Sequence, residues 1–275
     1  MNSISLRASQ IQLAYEDDGA GSVVVLLHAF PLDSEMWRPQ QSELANGFRI
    51  IAPDFPGFGS SATLTSLTID AAADVTAELL DHLGINERVV VGGVSMGGYV
   101  ALAFARLYPQ RLRALILADT KADADDQAAK AARDRTIEQI SSQGAHAVIE
   151  QFIPKLVGAS TQSNRKEVVN TVRRIAQRQS GETMAIALRA LRDRPDATPA
   201  LTHISVPTIV LVGAEDAITP PEKAQSLADA IPDARLEVIA NAGHLSNLEN
   251  PEPFNTAVRQ FLEGLPVDSR SSRTV

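Results

Sequence analysis

The chain contains no cysteine. That absence excludes disulfides, thiolate nucleophiles and every zinc site that depends on cysteine ligands. A basic surplus is also missing: 25 Lys and Arg stand against 33 Asp and Glu, a formal net charge of −8. Proteins that bind nucleic acid or other polyphosphates present a basic face, so such partners are not expected. The short basic runs "RLR" (111–113) and "VRR" (172–174) read as solvated helix faces. No apolar run approaches the ~20 residues that a membrane helix needs; the longest, "SVVVLLHAF", is strand-sized. The first residues, "MNSISLRASQIQLAYEDDG", lack the basic segment and apolar stretch of a signal peptide. The expectation is a soluble cytoplasmic protein without nucleic-acid or membrane partners, and nothing in the sequence sets its oligomeric state.

What is present fits one α/β domain, alone or carrying an insertion: 275 residues, 44% of them hydrophobic, are enough for a sizeable core. "IQLAYEDDG" (11–19) alternates and ends in a turn, as an outer strand would. The runs at 23–29, 48–54, 88–94, 114–120, 207–216 and 235–243 are apolar without alternation and read as buried parallel strands. Helical patterns at 34–46, 68–83, 97–108 and 221–230 separate them, the last opening on proline. This rhythm predicts a doubly wound, mostly parallel sheet with helices on both faces.

Between the strands at 114–120 and 207–213 lie roughly 85 residues without a strand-like run, too long for a structureless loop in a compact domain. "DQAAKAARDRTIEQI" and "RKEVVNTVRRIAQ" have helical periodicity, with proline and glycine dividing the rest. The expected organisation is a core of residues 1–120 and 201–265, a helical cap over 121–200, and a disordered tail at 266–275.

The segment "RVVVGGVSMGGYVALAFARLY" holds the pattern Gly93-Val94-Ser95-Met96-Gly97. G-x-S-x-G is a weak signal by itself. It gains weight here because a strand runs into the serine and a helix starts directly after it. A nucleophile raised on such a bend needs strained backbone and small neighbours two residues either side, which glycine supplies. The alternative, a phosphate-binding turn, lacks G-x-G-x-x-G spacing and a following lysine. Ser95 is therefore the candidate nucleophile.

A serine hydroxyl needs a base. Of five histidines, His82 and His146 lie in helical stretches, His203 at the amino end of a strand, and His28 ahead of the serine. His244 follows the last strand, at the carboxyl edge where open α/β sheets bind ligands. An acid must orient it; Asp216 in "VGAEDAITP" is favoured, with Asp119 in "LILADT" the fallback and Glu215 pointing elsewhere. Two N–H donors must hold the developing oxyanion. Met96 follows the nucleophile; Phe30 follows "VVVLLHA", and Pro31 beyond it has no N–H to offer.

With these segments in view, the chain resembles the α/β-hydrolase superfamily over nearly its whole length. The resemblance rests on "LLHAFPLDSEMW", "DFPGFGSS", "GVSMGGYVALAFARLYPQRLRALILADT", "LVGAEDAITPP" and "NAGHLSNLENPEPF". "SMGGYVAL" and "AGHLSNLENPE" are most similar to 3-oxoadipate enol-lactonases and to bacterial esterases and perhydrolases. The resemblance implies the α/β-hydrolase fold and the chain order Ser95, Asp216, His244. It makes His28 structural and "DFPGFGSS" a structural loop near the pocket. Ala29 departs from the glycine common in relatives. Serine at 95, where dehalogenase and epoxide-hydrolase branches carry aspartate, implies acyl chemistry on a small carboxylic ester or lactone, with no cofactor or metal. Enol-lactone ring opening, a perhydrolase or cofactor-free oxygenase, and a ligand receptor without turnover are the alternatives. Phe152, Ile153, Leu156, Met184 and Leu188 are candidate pocket linings, and Arg133 and Arg189 candidate partners for a substrate carboxylate.

Overall fold

The computed structural model describes residues 1–266. The expected disordered tail lies, but for its first residue, outside the described residues. An eight-stranded sheet runs in the order β1-β2-β4-β3-β5-β6-β7-β8, built from Asn2–Leu6, Ile11–Gly19, Ser22–Leu27, Phe48–Pro53, Val89–Val94, Leu112–Ala118, Thr208–Gly213 and Ala234–Ile239 as β1 to β8. β1, β2 and β4 pair antiparallel; every other pairing is parallel. The central strands have no solvated face: β5 and β7 are buried at all six positions. Burying each of their Val and Leu side chains contributes about 1.5–3 kcal/mol.

Two sequence expectations need correction. "IQLAYEDDG" is not the outer strand, because β1 lies outside it, pairing Leu6 with Ile11. Residues 235–239 do not form a buried strand. β8 has one neighbour, β7, and leaves Arg235, Glu237 and Val238 exposed. An edge strand with one covered face has no use for apolar side chains on both.

The helices α1 (Arg38–Leu44), α2 (Ile69–His82) and α3 (Met96–Leu107) follow β3, β4 and β5. Thr68 caps α2 by accepting the Ala71 N–H, an interaction worth ~1 kcal/mol. α3 is buried along Val100 and Phe104 and packs on α2 and on β3, β5 and β6. Between β6 and β7 the chain inserts α4 (Gln127–Gln143), α5 (Ala145–Leu156), α6 (Ala159–Asn164), α7 (Lys166–Ala176) and α8 (Gly181–Asp193). α9 (Pro221–Ala230) then packs on β7 and β8, and α10 (Ser246–Glu249) and α11 (Pro251–Glu263) close the chain against α1. The "RLR" run is not an α-helix face, whereas "VRR" does lie on α7, with Arg174 exposed. Arg111 and Arg113 lie on a turn and on β6, Arg111 bonded to Asp81, while Arg173 and Arg174 bond Glu150 and Glu35.

Candidate active site

Ser95 sits between the end of β5 and the first turn of α3 with φ 54° and ψ −110°, a left-handed conformation that costs a non-glycine residue of order 1–3 kcal/mol. Three bonds hold it. Its N–H donates to Ala118 O (3.0 Å), and its carbonyl accepts from the Tyr99 N–H (3.2 Å) and Thr120 Oγ1 (2.9 Å). The flanking glycines are explained by contact distance. A Cβ on Gly93 would lie 2.1 Å from the Gly97 carbonyl carbon, and one on Gly97 would lie 2.0 Å from Leu27 O. The bend therefore closes only with hydrogen at both positions.

His244 follows β8 and reaches Ser95 across the end of the sheet. Ser95 Oγ donates to His244 Nε2 at 2.8 Å, and His244 Nδ1 donates to Asp216 Oδ2 at 2.8 Å. Asp216 leaves the end of β7, buried like His244, with Ser95 half-buried. Its other oxygen accepts the Ile218 and Thr219 N–H groups at 2.8 and 2.9 Å, and Thr219 Oγ1 donates to Oδ2 at 2.7 Å. Burial alone would pull the His244 imidazole down. The Asp216 charge and hydrogen bond, with Asp119 and Glu249 behind them, more than offset it and hold His244 above its ordinary value. Burial raises Asp216 in turn, but the His244 charge and the bonds from His244 and Thr219 bring it below the usual carboxylate range.

Asp119, the fallback acid, is bonded elsewhere. Its oxygens accept the Gly213 N–H (2.8 Å), the Ser246 N–H (3.1 Å) and the Ser246 hydroxyl (2.5 Å). Burial, and then the neighbouring Asp216 charge, push it up to about 8. Glu215 turns away, accepting from Ser160 N–H and Oγ on α6. His28 is held as a neutral structural imidazole: Nδ1 donates to Ala29 O at 3.1 Å and Nε2 accepts the Phe55 N–H at 2.9 Å. Burial lowers its pKa.

Met96 N–H and Phe30 N–H, the two expected donors, have no hydrogen-bond partner among the described residues. Met96 opens α3, where the first N–H groups have no helical acceptor and the dipole is positive. Phe30 follows β3 in a turn closed by the Leu32 N–H on Ala29 O at 2.8 Å. Its ring meets Phe58 and Phe152 edge-on, with centroids 6.5 and 6.1 Å apart. Of the candidate linings, Phe152 makes this ring contact; Ile153, Leu156, Met184 and Leu188 are buried in the common core. Arg133 is bound to the buried Asp125. Arg189 lines a cleft with Thr65, Ile140 and Glu182 whose walls include none of Ser95, His244 and Phe30.

Three supports went unread in the sequence. Glu249, fully buried, accepts the Gly243 and Leu245 N–H groups on either side of His244 and the Gly158 N–H of the insertion. Thr219 braces Asp216. Asp54 accepts the Ser34 and Ser60 N–H groups, tying the Phe30 loop to the "DFPGFGSS" loop. A glutamate five residues after the histidine, and a threonine three after the acid, carry no pattern that a single sequence separates from surface residues. Among the described residues no group of His, Asp and Glu is arranged to hold a metal ion, and no helix is long and apolar enough to cross a membrane.

A family model described as the alpha/beta hydrolase fold matches residues 22–251, well over half the chain. The chain is 29% identical over 262 residues to 3-oxoadipate enol-lactonase 2 of Acinetobacter baylyi, covering 94% of this chain and 96% of that one. Among solved structures, a thermophilic esterase from Thermogutta terrifontis with malate bound superimposes with a TM-score of 0.92. It is 43% identical, over 96% of this chain and 98% of that one. An enol-lactonase from Burkholderia xenovorans gives a TM-score of 0.88 at 26% identity, over 95% of this chain and all of that one. With the family model matched over residues 22–251, the chain belongs to the α/β-hydrolase family.

Proposed function

We propose that the protein is a serine hydrolase that cleaves a small carboxylic ester or lactone through Ser95, His244 and Asp216. The observation that carries this reading is the unbroken relay Ser95 Oγ–His244 Nε2 and His244 Nδ1–Asp216 Oδ2, each step 2.8 Å. The esterase and enol-lactonase relatives support the substrate class.

In this mechanism Ser95 Oγ attacks the substrate carbonyl as its proton passes to His244 Nε2. The Phe30 and Met96 N–H groups hold the oxyanion. The tetrahedral species collapses to an acyl-enzyme when His244 gives its proton to the leaving oxygen. Water, deprotonated by His244, attacks the ester on Ser95, and the carboxylic acid leaves with Ser95 restored. Asp216 fixes the Nδ1–H tautomer and stabilises the imidazolium without taking the proton.

The reading is tested with short p-nitrophenyl esters and simple lactones. Ser95→Ala lowers kcat by about 10⁴-fold or more, with the fold retained by circular dichroism; a variant that kept most of its activity would end the assignment. A panel of matched esters with and without a free carboxylate tests the substrate. Arg133 is committed to Asp125 and Arg189 lies on a separate cleft, so the free carboxylate brings no gain in kcat/KM.

A further inference from the structure

The loop that carries Phe30 is gripped by the inserted helices, and the grip is built from buried charge. Asp33, three residues beyond Phe30, is 1% exposed. Its Oδ1 accepts from Arg178 Nη2 (2.9 Å) and the Glu35 N–H (3.1 Å); its Oδ2 accepts from Arg178 Nη2 (2.8 Å) and Gln179 Nε2 (2.9 Å). Arg178 also reaches Glu35 with Nη1 at 2.6 Å, and Arg174 makes a two-pronged pair with Glu35 at 3.0 and 2.7 Å. The Gln179 carbonyl oxygen accepts the Gly59 N–H at 3.1 Å, so one side chain joins both loops beside the site. The Arg174 hydrogen bonds hold Glu35 down at about 2.

The core side of the same loop is anchored by backbone. His28 is fixed on Phe55, the Ala29 N–H meets Met36 sulfur at 3.1 Å, and Ser34 N–H meets Asp54. Between these anchors lies the turn Ala29 to Leu32 that aims the Phe30 N–H. Its far end, Asp33, is held in backbone by the Met36 N–H on its carbonyl (3.1 Å), but among the described residues the side-chain partners of its carboxylate are Arg178 and Gln179 of the insertion. A buried carboxylate left without such partners would have to be resolvated or protonated, and either moves the loop.

We propose that Arg178 and Gln179 are positioning residues for the oxyanion donor of Phe30, acting through Asp33. The inserted helices are then part of the machinery that sets the hydrolytic rate. This rests on the Ser95 reading above. An oxyanion donor acts only if its N–H points where the charge develops, and a misplacement of about 1 Å can cost 10²-fold. Loosening Asp33 therefore lowers kcat while leaving ground-state binding in place.

The test compares Arg178→Gln, Arg178→Lys and Gln179→Met with Arg173→Gln, which removes an ion pair to Glu150 within the insertion, one turn away. On p-nitrophenyl butyrate, Arg178→Gln is expected to lose about 10- to 100-fold in kcat with KM changed by less than about threefold. Arg178→Lys recovers part of the loss, and Gln179→Met shows the same pattern more weakly. Affinity for butylboronic acid, which forms a tetrahedral adduct on the nucleophile, falls in step with kcat, while affinity for butyrate does not. Arg173→Gln keeps wild-type kcat. If Arg178→Gln fails to fold, Gln179→Met and Arg178→Lys carry the comparison. Wild-type kcat in the folded variants, or a rise in KM alone, overturns the coupling. Ser95→Ala run alongside separates the two claims: a fully active Ser95→Ala overturns the site reading, whereas an inactive one with unimpaired Arg178 variants overturns only this inference.

Discussion

The core side and the insertion side of the candidate site are held in different ways. On the core side, position is enforced by backbone: strand ends, a bend that accepts no Cβ at Gly93 or Gly97, and N–H groups caught by His28, Asp54 and Glu249. On the insertion side it is enforced by long side chains meeting carboxylates: Arg178 and Gln179 on Asp33, Arg174 on Glu35, Ser160 on Glu215. The first kind tolerates little displacement and surrounds the candidate catalytic side chains. The second kind is adjustable, and it tunes geometry that the core has already set.

The most damaging way to probe the core side is to change the acid at the end of β7. Asp216→Asn is expected to lose about 10⁴-fold in kcat, because the amide no longer selects the Nδ1–H tautomer of His244. Asp119→Asn, one strand away and bonded to backbone and Ser246 instead of His244, loses no more than about tenfold, the scale of one weakened hydrogen bond. Equal losses in the two variants would erase the distinction between them. The pH profile sharpens it. His244 must be neutral to act as base, and its pKa is raised by Asp216. The acid limb of kcat/KM in the wild type thus lies above the ordinary imidazole value of 6.5, and it moves down in Asp216→Asn as the stabilising charge is removed.

Next in size is the bend. Gly97→Ala forces a methyl group to 2.0 Å from Leu27 O, a backbone atom that cannot turn aside. Overpacking of this kind typically costs about 1–3 kcal/mol, and a contact with backbone belongs at the upper end. Urea unfolding reads the loss directly, and an unchanged midpoint would show that β3 and α3 can move apart. The smallest effect is expected on the insertion side away from Phe30. Glu215→Gln weakens a partly exposed bond to Ser160, costs about 1 kcal/mol or less, and lowers Tm by roughly 2–4 °C with kcat near wild type. A large fall in kcat there would mean that this contact too is wired to the site.

The same contrast decides what could be read from the sequence. That Ser95, Asp216 and His244 come together was legible because two of them follow apolar strands and the third lies on the loop beyond β8, and the glycines around Ser95 record steric limits that leave a local pattern. The doubly wound, mostly parallel sheet was legible from the rhythm of apolar runs, and the helices between β6 and β7 from its interruption; the strand order was not. β8 misled because "RLEVI" carries enough apolar residues to pass for a buried strand, although one face is solvated. β1 went unread because five residues of half-exposed alternation are too short to stand out. Asp33–Arg178 and Glu249–Gly158 were invisible for another reason. They join residues 145 and 91 positions apart, and neither partner has local spacing that distinguishes it from a solvated charge.

The central claim, that Ser95 is a nucleophile activated by His244, is tested most directly by covalent trapping. Incubation with a fluorophosphonate followed by intact-mass and peptide analysis should give one adduct per chain, mapped to Ser95. It should form rapidly in the wild type, far more slowly in His244→Ala, and not at all in Ser95→Ala. Labelling that persists in Ser95→Ala, or that proceeds at the wild-type rate in His244→Ala, would contradict the account.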